Sequence, residues 1–509
     1  MYILSSTQIQ QADKATIDIK GIASIDLMER AATDCFKWLH TRLQGQNIKI
    51  NVFCGIGNNG GDGLVIARHL HLNGYHVNCY IVNFSDKQSP EFLENKDRLT
   101  QIGVEPIIIN NEWDIPNVNF EDIVIDAIFG NGLSRAPSGF TKELIKYINS
   151  TKVFTLSIDF PSGLFSDKPV KDPTSVIKAG HVLTFQTPKL AFLLPENSVF
   201  LTSWEVIDIG LDLSFIKSLS SKNQYITKQE VLPLYKPRKK WSHKGNYGHS
   251  LLIGGSFGKI GAITLASKGA LKIGSGLVTA YLPKCGYEIL QISIPEVMVE
   301  VDDEKFVHHF NYKTNPTVIG IGPGLGVSEK TVIGFSNFIQ QNKVPLVIDA
   351  DGINILSQNK ILLTKLLDKT ILTPHPKELK RLIGVWEDDY DKLEKIKYFS
   401  KKHNVILVVK GAYTIVVDGV NLYFNSTGNP SLATGGSGDV LTGLITGLLA
   451  QGYHPKEAAI LAVYLHGKSA DIAIQYTGHE TFTASQILDY LSDAILDLIA
   501  PETEEPEDS

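Results

Sequence analysis

The chain has 509 residues, of which 43% are hydrophobic and 20% charged, and carries a net charge of −6. That length calls for two domains rather than one core, and the composition is globular rather than disordered. The negative balance argues against nucleic acid as a partner, and the one dense basic run, "KPRKKW" at 236–241, reads as a solvated linker.

The opening "MYILSSTQIQQADKAT" has no basic region followed by an apolar core, so no export signal is expected. No later stretch reaches the roughly 20 continuous apolar residues that span a bilayer. Cys35, Cys54, Cys79 and Cys285 lie without metal-type spacing, as reduced thiols do. A cytoplasmic protein without membrane contact is the expectation. Residues 6–44 read as helical, with "SIDLMERAATDCFKWLH" apolar at helical spacing. Short apolar runs then alternate with helical segments: "IKINVFCG", "HVNCYIVN", "DIVIDAIFG" and "VFTLSIDFPSG". This alternation predicts a parallel sheet with helices on both faces. Over 211–235 the pattern loosens, which reads as a joint. "HSLLIGGS" restarts it, followed by "PTVIGIGPGLG", "VPLVIDADGIN", "KTILTPHP" and "NVILVVKGAYTIVVDG". Two α/β domains are therefore expected, over 1–215 and 225–500. The acidic, Pro-containing "PETEEPEDS" at 501–509 predicts a disordered tail.

In the first domain, "FCGIGNNGGDGLVIARHL" matches G-x-G-x-x-G at Gly55, Gly57 and Gly60, after a strand and before a helix. The match is incomplete, because no acid is clearly placed where the dinucleotide fingerprint has one and the second strand ends in Asn83. The loop is either a plain turn or a phosphate cradle, since Gly and Asn allow successive N–H groups to converge on an anion. Two acids, Asp126 in "IVIDAIFGNGLSRAP" and Asp159 in "LSIDFPSG", fall at the carboxyl ends of strands, the edge where open parallel sheets bind ligands. Either acid alone could be a loop anchor, and two together favour a site.

"GNNGGDGL", "DAIFGNGLSR" and "IDFPSG" together resemble the NAD(P)H-hydrate epimerase family, with the likeness covering 1–212. The resemblance implies a Rossmann-like parallel α/β/α sandwich whose loops hold the substrate. Carried onto this chain, the substrate contacts are Asn58, Asn59, Gly60, Gly61, Asp62, Gly130, Asn131, Gly132, Leu133, Ser134, Arg135 and Ala136. It also implies a potassium ion (K+) held by Asn59, Asp126 and Ser162, and a catalytic Asp159 against the reacting nicotinamide.

The second domain begins with "WSHKGNYGHSLLIGGSFGKIGAITLASKGALKIGSG", a glycine turn followed by a helix of small residues, which alone means close backbone packing. "GIGPGLG" is a further strand-end glycine loop. In "TPHPKELKRL", His375 stands between two prolines before a helix, where it is either structural or a ligand. Lys410 ends a strand in "VVKGAYTIVVDG", either solvated or turned toward a phosphate. In "GNPSLATGGSGDVLTGLITGLLAQG", a helix starting near Gly438 puts Asp439 at its positive end, which also offers free N–H groups to an anion. Asp439 is either an ordinary first-turn acid or a reacting carboxylate.

"GPGLG", "DADGIN", "TPHPKE", "KGAYT" and "GNPSLATGGSGD", in that order over 225–500, resemble the ribokinase-like superfamily and within it the ADP/ATP-dependent NAD(P)H-hydrate dehydratases. Lys377 and Gly352 depart from that family's usual Gly and Ala. The resemblance implies a ribokinase-like α/β/α domain using ADP or ATP with Mg2+. Its nucleotide contacts would be Lys410, Gly411, Ala412, Tyr413, Thr414, Asn429, Pro430, Ser431, Leu432, Ala433, Thr434, Gly435, Gly436, Ser437 and Gly438. Ala262, Gly324, His375 and Asp439 would lie against the hydrated dinucleotide, with Asp439 as the base.

Together the two resemblances imply a bifunctional repair enzyme for hydrated NADH and NADPH, expected as a homo-oligomer. Two other readings remain open at this point. The second domain could be a small-molecule kinase of the vitamin-precursor type, distinguished by a stable phosphorylated alcohol. The first could be a non-catalytic binding module, which intact Asp159, Asn59 and Asp126 argue against.

Overall fold

The computed structural model describes residues 1–501, so the expected tail lies outside the described residues from 502 onward. The chain divides into two compact units: Met1–Lys222 with Asp388–Tyr390, and Asn223–Glu387 with the residues from Asp391 onward. Among the described residues no helix is long and apolar enough to cross a membrane.

The first unit opens with helices α1 (Ser6–Lys20) and α2 (Ser24–Leu43). The 6–44 helical stretch is thus two helices, because Gly21 adopts a left-handed conformation (φ 61°) that ends α1. Seven strands follow: β1 (Ile50–Cys54), β2 (Val77–Val82), β3 (Ile107–Ile109), β4 (Ile123–Ala127), β5 (Phe154–Ile158), β6 (Ala179–Phe185) and β7 (Leu201–Ile207). Helices α3 (Asn58–Leu72), α4 (Pro90–Gln101) and α5 (Phe140–Thr151) connect them. The order is β3-β2-β1-β4-β5-β6-β7 and every pair is parallel. β1 is buried along its whole length, as a strand covered on both faces must be. The chain reverses direction across the sheet between β1 and β4, and the crevice outside that switch point is the ligand edge of such sheets.

Two glycines of the fingerprint answer to packing there. A Cβ on Gly55 would stand 2.0 Å from the Ile128 carbonyl oxygen, and one on Gly60 would stand 1.8 Å from that of Gly55. Gly57 meets nothing within 4 Å and faces open space.

The second unit is built on ten strands: β8 (Asn223–Ile226), β9 (His249–Ile253), β10 (Leu277–Leu282), β11 (Met298–Val301), β12 (Val318–Ile321), β13 (Leu346–Ile348), β14 (Ile371–Leu372), β15 (Ile406–Val409), β16 (Ile415–Asp418) and β17 (Asn421–Asn425). Their order is β11-β10-β9-β12-β13-β14-β15-β16-β17-β8. The sheet is parallel from β11 to β15, and only β16 runs against its neighbours. Its switch point lies between β9 and β12. The joint is not all linker, because β8 closes the far edge of this sheet on β17.

The helix Ser437–Ala450 is apolar around most of its surface and sits against the helix Ile260–Lys272. Glycine makes the contact possible. A Cβ on Gly443 would fall 2.0 Å from the Ala266 carbonyl oxygen, and one on Gly447 would fall 2.4 Å from Ile273 Cγ2. On an exposed helix, Gly to Ala adds about 1 kcal/mol of stability. Here Gly443→Ala is expected to destabilise the second unit by about 3 kcal/mol, because two backbones must separate. Thermal unfolding checks it, and an unchanged midpoint would refute the close crossing.

Candidate functional site

At the first switch point, α3 begins directly after the loop from β1, so its first N–H groups point outward as donors. Asn58 is exposed there, while Asn59, Gly60, Gly61 and Asp62 are buried. Asp126, at the end of β4, is fully buried and surrounded by donors. It accepts from Ser157 Oγ (2.7 Å), from the Ser162 amide (2.8 Å) and from Ser162 Oγ (2.5 Å). Burial nevertheless raises its pKa above the ordinary carboxylate value. Asn59 lies against Gly130, where an added Cβ would be 3.3 Å from its Oδ1. Both amide atoms of Asn59 are buried without a hydrogen-bond partner. A buried polar group left unpaired is costly, which sets Asn59 apart from the paired groups around it.

The loop 130–136 runs over this edge. Asn131 is tied down by Ser6, whose Oγ donates to its backbone and side-chain oxygens at 3.1 and 3.0 Å. Gly132, Ser134, Arg135 and Ala136 are exposed and Leu133 is half-buried, so they rim the crevice. Asp159 follows β5 with φ 60°, a left-handed conformation rare outside glycine. Its Oδ2 accepts from the Asn131 amide (3.1 Å) and its Oδ1 from Thr184 Oγ1 (3.3 Å). Held strain of this kind collects at functional positions. Two neighbours were not visible in the sequence pattern. Lys189, without solvent exposure, stands 3.4 Å from Asp159, and Asp13 of α1 is raised to about 6 by burial and by Asp159.

In the second unit, Ala262 and Gly324 face one another across the β9/β12 switch point. A Cβ on Gly324 would be 3.1 Å from that of Ala262, and Gly324 has φ 62°. His375 caps the helix Pro376–Ile383: its Nδ1 accepts from the Lys377 amide at 3.1 Å, and Glu378 accepts from the His375 amide at 3.0 Å. The ring is 43% exposed, and its Nε2 lies 3.2 Å from Glu378 Oε1, so both ring nitrogens are engaged locally. Burial and the Lys410 charge lower its pKa.

Lys410 leaves β15 and pairs with Asp349 Oδ1 at 2.9 Å, Asp349 being the residue after β13. Thr442 Oγ1 donates to the other carboxylate oxygen at 2.8 Å. A Cβ on Gly438 would stand 3.2 Å from Lys410 Nζ, which puts the ion pair against the start of the helix Ser437–Ala450. The cap of that helix is Gly436, in a left-handed conformation, so Asp439 does not cap it. Asp439 is pushed up to about 7, first by burial and then by the Asp349 charge, with Lys410 opposing.

Around this helix start, Gly411 and Ala412 are exposed, Tyr413 and Thr414 half-buried, and Tyr413 stacks obliquely on Tyr225 of β8. The glycine loop is strapped down by the helix Pro455–Thr477. Asp471 accepts from the Gly428 amide (2.9 Å) and from Asn429 Nδ2 (2.8 Å), and Ser431 pairs with His479 (2.9 Å). The Asn429 and Ser431 side chains are thus engaged inside the protein. Pro430 and Leu432 sit in the same turn, while Ala433, Thr434 and Gly435 lead to Gly436 on its more open side. His466, neutral with its pKa lowered to about 4 by burial, contacts the Ser437 carbonyl at 3.0 Å. Asp349, Thr442, His466 and Asp471 carry no separate motif, although Asp349 lies inside "DADGIN".

Residues 24–191 match the family model described as YjeF-related protein N-terminus, and residues 250–493 match the one described as NAD(P)H-hydrate dehydratase. The bifunctional NAD(P)H-hydrate repair enzyme of Moorella thermoacetica is 34% identical, with 96% of each chain covered. That of Escherichia coli is 31% identical, covering 95% of this chain and 92% of the relative. Among solved structures, an ADP/ATP-dependent NAD(P)H-hydrate dehydratase from Bacillus subtilis is 29% identical, with a TM-score of 0.48, over 54% of this chain and 98% of that one. With such relatives matched over nearly their full length, the chain belongs to the bifunctional NAD(P)H-hydrate repair enzyme family.

Proposed function

We propose that this protein returns hydrated NADH and NADPH to use: the first domain interconverts the R and S C6-hydrates, and the second dehydrates the S form with ADP or ATP. One observation carries the reading. Each sheet brings a carboxylate to its carboxyl edge beside a glycine loop, Asp159 near Asn131 and Asp439 near Gly438, in a chain related end to end to repair enzymes. Hydrated NADH of mixed epimers, incubated with and without nucleotide and followed by chromatography, tests it. Epimer exchange without nucleotide and NADH formation with it are expected. A stable phosphorylated alcohol would instead make the second domain a kinase.

The hydrated carbon C6 carries both a hydroxyl and the ring nitrogen. Asp159 takes the hydroxyl proton and hands it to the ring nitrogen, so the C6–N bond opens to an aldehyde and an amine, and the reverse transfers reclose it on the other face. In the second domain hydroxide is a poor leaving group. Asp439 takes the hydroxyl proton as the oxygen attacks the nucleotide's terminal phosphoryl group, whose charge Lys410 and the N–H groups of 435–438 stabilise. The nitrogen lone pair then expels phosphate, and loss of a C5 proton restores the ring double bond.

A potassium ion fits the first site. Asn59 Oδ1 is an orphaned oxygen, and Asp126 and Ser162 add two more hard donors. Potassium would hold the loops of Asn59, Asp126 and Ser162 in register. Potassium is expected to raise the first domain's thermal midpoint more than equal lithium, and Asp126→Ala to remove the difference. An unchanged potassium response in Asp126→Ala would remove Asp126 from the ligands. Among the described residues no three His, Cys, Asp or Glu side chains gather as for a metal ion. Mg2+ therefore fits as an ion carried by the nucleotide's phosphates, with Asp349 the carboxylate at that loop. Four unpaired thiols support a reducing, cytoplasmic setting. Exposed Ile289, Ile292, Met298 and Val301, around edge strand β11, support a homo-oligomer.

A further inference from the structure

Behind Asp159 lies a buried cation that the chemistry above leaves without a role. The Lys189 ammonium has three protons, and three oxygens take them: Thr184 Oγ1 at 2.8 Å, the Phe185 carbonyl at 2.9 Å and the Thr187 carbonyl at 3.1 Å. All three belong to the end of β6 or the turn after it, so the charge is fixed in place. Asp159 Oδ1 lies 3.4 Å from that nitrogen, and Thr184 bridges the two by accepting from Lys189 and donating to Asp159.

The other groups facing Asp159 are acids or a thiol. Asp13 comes from α1 and Asp62 from α3, and each is held above the ordinary carboxylate range first by burial and then by the Asp159 charge. Cys35 of α2 is a buried neutral thiol. Among these groups of the described residues, Lys189 is the cation. Burial weakens its hold on its own proton, while Asp159 and Asp13 restore part of it.

We propose that Lys189 is a positioning residue for the first domain's reaction, a fixed internal ammonium whose charge, relayed through Thr184, holds the Asp159 carboxylate aimed at the crevice. The inference rests on the assignment of epimerisation to this domain. A purely mechanical role, locking the turn after β6, would leave the pH profile of the reaction unchanged.

The test is the pH profile of epimer exchange in the full-length chain, with hydrated NADH as the probe. In Lys189→Met, exchange at neutral pH is expected to fall about 10²-fold, through kcat more than KM. The acid limb of kcat should move to higher pH, so that activity partly returns as base is added. Thermal unfolding of the same chains, followed by circular dichroism, reports whether the first domain is folded. Should Lys189→Met not fold, Thr184→Val removes the bridge between ammonium and carboxylate, and its kcat should fall with the limb moved the same way. An unmoved limb in either single variant, beside normal exchange in the unmutated chain, overturns the inference and leaves the epimerase reading standing. No exchange in the unmutated chain overturns both.

Discussion

Asp439→Asn is expected to bind nucleotide and to leave hydrated NADH unconverted, with the dehydration rate down by about 10³-fold. The carboxyl sits in the first turn of the helix Ser437–Ala450, and its pKa of about 7 suits a group that must take a proton at neutral pH. The base works only when ionised, so kcat/KM should fall as pH drops through about 7. The same shift sets a sign for stability. An acid whose folded pKa is raised favours the fold while protonated, and loses that contribution as pH rises from its unfolded value toward about 7. The Asn variant, with no charge to bury, should therefore unfold at a higher temperature than the unmutated protein at mildly alkaline pH. Loss of activity together with gain of stability is the signature of a reacting group. A merely structural first-turn acid predicts near-normal turnover, whatever the change in stability. Absorbance at the reduced-nicotinamide band gives the rate, calorimetry the nucleotide binding and thermal unfolding the stability.

Asp159→Asn is expected to slow epimer exchange by about 10²-fold or more while sparing dehydration of the S form. The substitution tests charge with little change of shape. Asn tolerates the left-handed backbone at φ 60°, and its single amide oxygen can keep the bond from the Asn131 amide while the one from Thr184 is given up. What it loses is the ability to take a proton. With a mixture of epimers and nucleotide, the variant should convert one epimer quickly and stall with the other unused. Chromatography of the remaining substrate shows this directly. Exchange at the unmutated rate in a folded Asp159→Asn protein would remove Asp159 from the chemistry.

The sequence pattern reveals the alternating architecture because fully buried parallel strands such as β12 and β13 are unbroken apolar runs. It does not reveal β8, a half-buried edge strand inside a stretch that reads as linker, or β7, whose alternating exposed residues carry no continuous run. Site residues on local motifs were legible for a similar reason. Asp126, Asp159 and Asp439 each stand at a strand end or helix start with glycine nearby. Lys189 was not legible, because a lysine after a strand reads as solvated until the fold shows it without exposure. Asp13 sits on a helix far from the glycine loops in the chain and reaches Asp159 only through tertiary packing. The pairing of Asp349 with Lys410 depends on β13 and β15 flanking β14, an order that no single motif encodes.

The glycine crossing between the helices Ile260–Lys272 and Ser437–Ala450 bears on what the second domain can admit. Ala262 belongs to the first of these helices and Asp439 to the second, and between them main chain meets side-chain-free main chain at Gly443. A contact of that kind has no rotamer to switch. The spacing of the two residues is therefore set like the jaw of a fixed gauge, and on the proposed reading, in which both touch the hydrated dinucleotide, an oversized ring would be refused rather than accommodated by remoulding. Widening that jaw requires changing the spacers buried beneath it, at 443 and 447, and not the residues that would touch the substrate.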